Sequence, residues 1–196
     1  MKGNYRSKLR LTSLLVILVL FQIGESQNRS VMAEAQRISG DRFQLATRTA
    51  KGAIVYSVDK PSTTMLNAID QGLTDLFAIA RKNNYRRRVK YSDYTIYIAR
   101  ADRNKSDSGT YSPDIAVGAA QYTGSEFDKG GYIYAAGMVI GFNPASFVIA
   151  QHTRDFGRVA EVVRYEGEHL ILYHNDRRRF RETADHSAVG GHPILK

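Results

Sequence analysis

The sequence predicts an α+β domain built around a mixed β-sheet. Three observations carry that prediction. Short β-branched and aromatic runs alternate with two long segments of helical periodicity. The first run, the first helical segment and the second run follow one another directly, as a right-handed βαβ unit with parallel strands requires. No internal repeat or low-complexity tract breaks the chain, and 43 % apolar against 24 % charged residues suits a folded domain.

Residues 1–35 read as a signal peptide and cleavage region. Lys2, Arg6, Lys8 and Arg10 precede a short apolar stretch from Leu14 to Ile23. That stretch is shorter than the ~20 residues a spanning helix needs. Ala33–Glu34–Ala35 has the small–x–small form of a processing site, with Gly24–Glu25–Ser26 as the competing position. The reading is a secreted or periplasmic protein, membrane-anchored if the leader is retained. The chain has no cysteine, which suits a bacterial periplasm or medium and excludes thiolate metal sites, cysteine nucleophiles and disulfides. Residues 36–52 are polar and read as a flexible segment, so that the domain proper spans 53–196.

Ala53–Val58 is rich in β-branched and aromatic residues and predicts a strand. Ser62 or Thr63, just after Pro61, caps a helix whose apolar residues Leu66, Ile69, Leu73, Leu76, Phe77 and Ala80 recur at spacings of three and four up to Arg81. Tyr91–Ile98 predicts the second strand. Residues 101–114 form a loop and Ile115–Tyr122 a short inner strand, with a turn over Thr123–Gly131. Tyr132–Phe142 reads as one strand, with Gly137 and Gly141 marking a bulge, a bend or a close backbone approach. Phe147–Ile149 is a further short strand or a loop anchor. A second helix runs from about Asp155 to His174, although Gly167 in its middle costs about 1 kcal/mol relative to alanine. Such a residue admits a close neighbour or a bound peptide.

The chemistry concentrates at the C-terminal end. His169, His174, His186 and His192, four of five histidines, interleave there with Glu166, Glu168, Asp176 and Asp185. Imidazole and carboxylate are the donors that suit zinc. On a helix Tyr165, Glu166, His169 and Tyr173 share one stripe, while Glu168 points elsewhere and His174 lies about 140° from His169. Read singly, each histidine has a plainer role: His169 in a core, His174 at a helix end, His186 in a turn, His192 before Pro193 in an extended tail.

Tyr165-Glu166-Gly167-Glu168-His169 keeps the frame of the zinc-peptidase helix His-Glu-x-x-His, with a tyrosine in place of the first histidine. Over residues 53–192 the chain resembles small zincin-like metallopeptidases. Its ending is also similar to that of uncharacterised exported bacterial proteins. The resemblance implies a C-terminal metal-site helix and an exported zinc-dependent hydrolase, a peptidase using metal-activated water. In one ligand set His169, His186 and His192 hold the metal and Glu166 is the base. In the other, Glu166 is a ligand with His169, completed by His186 or His192, while Glu168 or Tyr165 serves in proton transfer or as the oxyanion group. The alternative is a non-catalytic exported module of the same fold that binds metal, envelope or a partner.

The formal net charge of +9 includes the basic leader. The remaining excess lies mainly in Arg81–Lys90, containing Arg86, Arg87 and Arg88, and in Arg177–Arg181. The plain reading of such clusters is a solvated helix end and a solvated loop. Contact with phosphate or an anionic cell surface is the functional alternative, and nucleic acid is not expected, because no nucleic-acid-binding motif accompanies them. No Gly-x-Ser-x-Gly elbow and no phosphate-binding loop occurs.

Overall fold

A computed structural model describes residues 31–101, 115–118, 132–135, 137–142, 145–183 and 195. It contains a mixed five-stranded sheet in the order β1-β2-β3-β7-β6 and a separate two-stranded ribbon, β4-β5. The strands are β1 (Leu45–Arg48), β2 (Ile54–Ser57), β3 (Tyr94–Ala99), β4 (Ile115–Gly118), β5 (Tyr132–Ala135), β6 (Gly137–Phe142) and β7 (Ala145–Ala150). The helices are α1 (31–39), α2 (Thr63–Lys82), α3 (Phe156–Asn175) and the short α4 (Arg177–Thr183).

The α+β class and the mixed sheet are as the sequence predicts. β2, α2 and β3 form the expected unit, with β2 and β3 parallel in the register Ile54↔Thr95 to Ser57↔Ile98. β3 also pairs in parallel with β7, and both are buried along their whole length. β1 and β6 close the two sides with antiparallel pairing. Tyr94, Ile96 and Ile98 of β3 face α2 and α3 in the larger core, whereas Tyr97 and Ala99 face α1 in the smaller one. This is the period-two alternation of a sheet covered on both sides.

The two long helices begin and end on recognisable chemistry. Ser62 caps α2 by accepting from the Met65 N–H at 3.1 Å, and Asp155 caps α3 by accepting from the Arg158 N–H at 3.0 Å. α2 stops in a Schellman arrangement: Asn84 takes φ 58°, its N–H reaches the Arg81 carbonyl, and the Tyr85 N–H reaches that of Ala80. The helices cross closely because Gly72 faces the Ala160 backbone and Gly167 faces Leu76 and Tyr94. Gly167 thus admits a neighbouring helix and a tyrosine ring rather than a bound peptide.

Three expectations need correction. The segment 36–52 is not a flexible lead-in: it holds the second half of α1 and β1, and Ile38 and Phe43 belong to the smaller core. Its few large apolar residues are anchors, and β1 is an exposed border strand with little apolar signal. Ala35, at the expected processing site, is fully buried within α1. The Tyr132–Phe142 run is two strands, β5 and β6, which belong to different sheets. The strand beginning at Ile115 pairs with β5 in the ribbon rather than entering the main sheet. Phe147–Ile149 proves to be the middle of β7, a central strand.

Among the described residues no helix is long and apolar enough to cross a membrane. The expected leader at 1–30 and the expected loop and turn over 102–114 and 123–131 lie outside them.

Candidate functional site

Helix α3 carries the candidate residues, and it departs from ordinary amphipathicity at one turn. Its apolar residues Val159, Val163, Leu170, Ile171 and Leu172 are buried as the pattern requires. Glu166, Glu168 and His169 are buried with them, at 7, 0 and 1 % exposure. Burying ionisable groups costs several kcal/mol unless charge and hydrogen bonds compensate. That cost makes this turn the candidate site.

Glu166 lies against β6. A Cβ built on Gly137 would come within 3.1 Å of Glu166 Oε1 and 2.6 Å of Val162 Cγ1. Only a glycine at the start of this strand lets α3 approach so closely. β6 is the last strand of the described sheet and runs antiparallel to β7, with a register shift between Val139 and Gly141. The arrangement therefore sets a buried carboxylate beside the backbone of a border strand.

Glu168 does something different. Its Oε1 accepts from Arg164 Nη1 at 3.2 Å and from the Leu195 N–H at 3.0 Å. Arg164 Nη1 also reaches the Leu195 carbonyl at 3.4 Å. Leu195 is itself buried in the larger core. The pair thus clamps Leu195 onto α3, which is a positioning role. The guanidinium of Arg164 also covers the Tyr165 ring, 4.3 Å from its centroid. Tyr165 remains half-buried.

The Tyr94 hydroxyl donates to the Gly167 carbonyl at 3.2 Å, tying this turn of α3 to β3. Complete burial, with Asp93 adding to it, pushes that phenol well above the ordinary tyrosine range. His174, expected near the helix end, packs edge-on against the Tyr173 ring and stands apart from the buried turn.

The structure therefore brings together Glu166, Glu168 and His169 within one turn and places Tyr165 at its edge. His186 and His192 lie outside the described residues. Among the described residues no three histidine, aspartate or glutamate side chains form a group able to hold a metal. A zinc centre on His169 would thus depend on the two histidines of the tail.

A concavity opens elsewhere, at the carboxyl ends of β2, β3 and β7, where α2 and α3 begin. The cavity of about 370 Å³ is lined by Lys60, Ser62, Thr64, Ile98, His152 and Phe156, among others. Each helix start there is already capped by its own Ser62 or Asp155, and Asp59 on the rim pairs with Arg100 at 3.5 Å. The sequence reading gave His152 no role. Its position after a central parallel strand, where α/β sheets commonly bind ligands, was the available signal.

No protein-family model, curated protein or solved structure matches the chain.

Proposed function

We propose that the chain is an exported, zinc-dependent hydrolase of the peptidase type, with Glu166 as general base and His169, His186 and His192 as metal ligands. The observation that supports this reading best is the burial of Glu166 and His169 on one stripe of α3, with Glu166 against Gly137 of the border strand β6. A zinc ion held by the three histidines would supply a Lewis acid for a scissile carbonyl. Glu166 would take the proton of the attacking water and return it to the leaving amine. β6 would offer backbone N–H and C=O groups to an extended peptide, which suits peptide over small-ester substrates. Glu168 would act indirectly, by holding Leu195 on α3 through its N–H.

One observation favours the second reading, a metal- or partner-binding module without catalysis. Tyr165 occupies the position of the first histidine, and Arg164 covers its ring.

Metal analysis of the protein purified without chelator separates the readings when combined with turnover. The first expects about one zinc per chain and hydrolysis of an unfolded protein substrate. Glu166→Gln should abolish turnover by at least about a hundredfold while retaining zinc. His169→Ala should lose both. Zinc without turnover in the wild type establishes the metal-binding module instead, and a metal-free, inactive chain ends the hydrolase reading and leaves only a partner-binding module.

A further inference from the structure

We propose that the two basic segments, separated by some ninety positions in sequence, form one rigid cationic face that docks on anionic phospholipid. The link between them is Asn175, the last residue of α3. Its Oδ1 accepts from the Arg87 N–H at 2.8 Å, and its Nδ2 donates to the Arg87 carbonyl at 3.2 Å. Both backbone groups of Arg87 are thereby paired in the manner of a strand partner, and the side chain is left exposed.

Each segment is also pinned from below, so the charges are held in place rather than solvated on a loose loop. In the first, Tyr85 and Val89 pack against the larger core while Arg86, Arg87 and Arg88 between them are exposed. In the second, Phe180 packs on the same core and meets the Tyr173 ring at 5.2 Å. Asp176 accepts from the Arg179 N–H at 3.0 Å, starting α4. Arg177, Arg178 and Arg181 are exposed around these anchors.

The charge balance favours an anion strongly. Residues 81–90 hold six cationic side chains and no carboxylate, and residues 175–183 hold four against Asp176 and Glu182. Glu182 reaches Arg178 only at 3.9 Å, with both side chains exposed. Asp93, beyond the first segment, is engaged by the Lys90 N–H at 2.7 Å. The face lies at the C-terminal ends of α2 and α3, the opposite end of the helices from the cavity at the strand termini.

The partner's chemistry follows from what the face lacks. Its aromatic residues are used inward: Tyr91 stacks edge-on with Phe77, and Tyr173 sits under Arg177 at 3.6 Å and against Phe180. Among the described residues of the face no exposed ring is left for stacking on bases, the main device of single-strand recognition. Many fixed cations without an apolar or aromatic reader fit a planar array of phosphates.

Co-sedimentation of the full chain with two kinds of vesicle tests this. Pure phosphatidylcholine vesicles measure any binding through apolar segments, and vesicles containing phosphatidylglycerol add the electrostatic part. The added part should appear only with phosphatidylglycerol and fall steeply with salt. Arg86→Ala/Arg87→Ala/Arg88→Ala should lower it by about a hundredfold, at roughly fivefold per cation near a charged surface. Arg177→Ala/Arg178→Ala should lower it by at least about tenfold. Asn175→Ala removes no charge, yet should weaken binding severalfold by releasing one segment from the other; Arg86→Lys/Arg87→Lys/Arg88→Lys, which keeps charge and anchors, should bind nearly as the wild type. Circular dichroism confirms that each variant is folded. Equal binding to both vesicles would overturn the proposal. So would full binding by Asn175→Ala, because the segments would then act separately. Tighter binding to a random DNA duplex at equal phosphate would assign the face to nucleic acid and end the lipid reading.

Discussion

Helices α2 and α3 are both 20 residues long, lie on the same side of the sheet and are each capped by their own side chain, yet they bury different chemistry. α2 buries Met65, Ile69, Leu73 and Leu76 and a single carboxylate, Asp70, whose Oδ2 accepts from the Lys51 N–H at 3.0 Å. α3 buries a comparable apolar set and, in addition, Glu166, Glu168 and His169 within four residues. The first helix follows the rule that burial tracks hydrophobicity. The second breaks it at one turn, and natural chains break that rule chiefly where function demands it. The contrast locates the candidate site more sharply than any single residue does.

The largest effect should come from removing the charge that compensates α3's buried turn. Arg164→Met leaves the Glu168 carboxylate buried without its guanidinium partner, and breaking a buried pair costs about 3–5 kcal/mol. Urea unfolding measures it. The double variant Arg164→Met/Glu168→Leu removes both charges and should recover most of the loss. A single variant within about 1 kcal/mol of wild type would show that the pair does not hold the turn.

Next in size is the helix crossing. In Gly72→Ala the new methyl would overlap the backbone carbonyl of Ala160 and lie 2.9 Å from Val163 Cβ, atoms that cannot move without shifting α3. Overpacking of this kind costs about 1–3 kcal/mol, more than the ~1 kcal/mol that alanine gains in helix propensity. Gly167→Ala meets the far end of the Leu76 side chain at 2.7 Å and Tyr94 at 3.3 Å, which can yield. It should cost clearly less than its counterpart on α2. Equal losses, read from the same denaturation curves, would mean that the two glycines serve the crossing alike.

How far the sequence was legible follows the same division. α2 is readable to within a residue because its apolar spacing, Ser62 cap and basic end agree with one another. α3 is readable too, and the frame Glu166-x-x-His169 marks its unusual turn. β1 was missed because a border strand with exposed Leu45 and Ala46 has no alternation to detect. β5 and β6 merged because their aliphatic residues run on without a polar break, and only pairing partners separate them. Glu168's clamp on Leu195 and Asn175's hold on Arg87 join residues 27 and 88 positions apart. Such contacts leave no periodic trace, so the composite basic face and the positioning role of Glu168 emerge only in three dimensions.

The smallest predicted effect tests how α3's buried turn is tied to the sheet. Tyr94→Phe keeps the packed ring and removes the hydroxyl's bond to the Gly167 carbonyl, which should cost about 1 kcal/mol at neutral pH. Burial raises the Tyr94 phenol well above its ordinary value, and burial with Tyr56 close by does the same for Tyr97. A raised folded-state value means that the unfolded chain releases its proton first. This contribution is intact below about pH 10 and is lost as pH rises beyond it. The wild type should therefore lose stability in alkali on a slope that includes both phenols, while Tyr94→Phe retains only that of Tyr97. The two urea midpoints should converge as pH rises. If they stay equally far apart from neutral pH to about pH 11, the Tyr94 proton is not held by the fold, and its hydroxyl serves α3 only as an ordinary neutral donor.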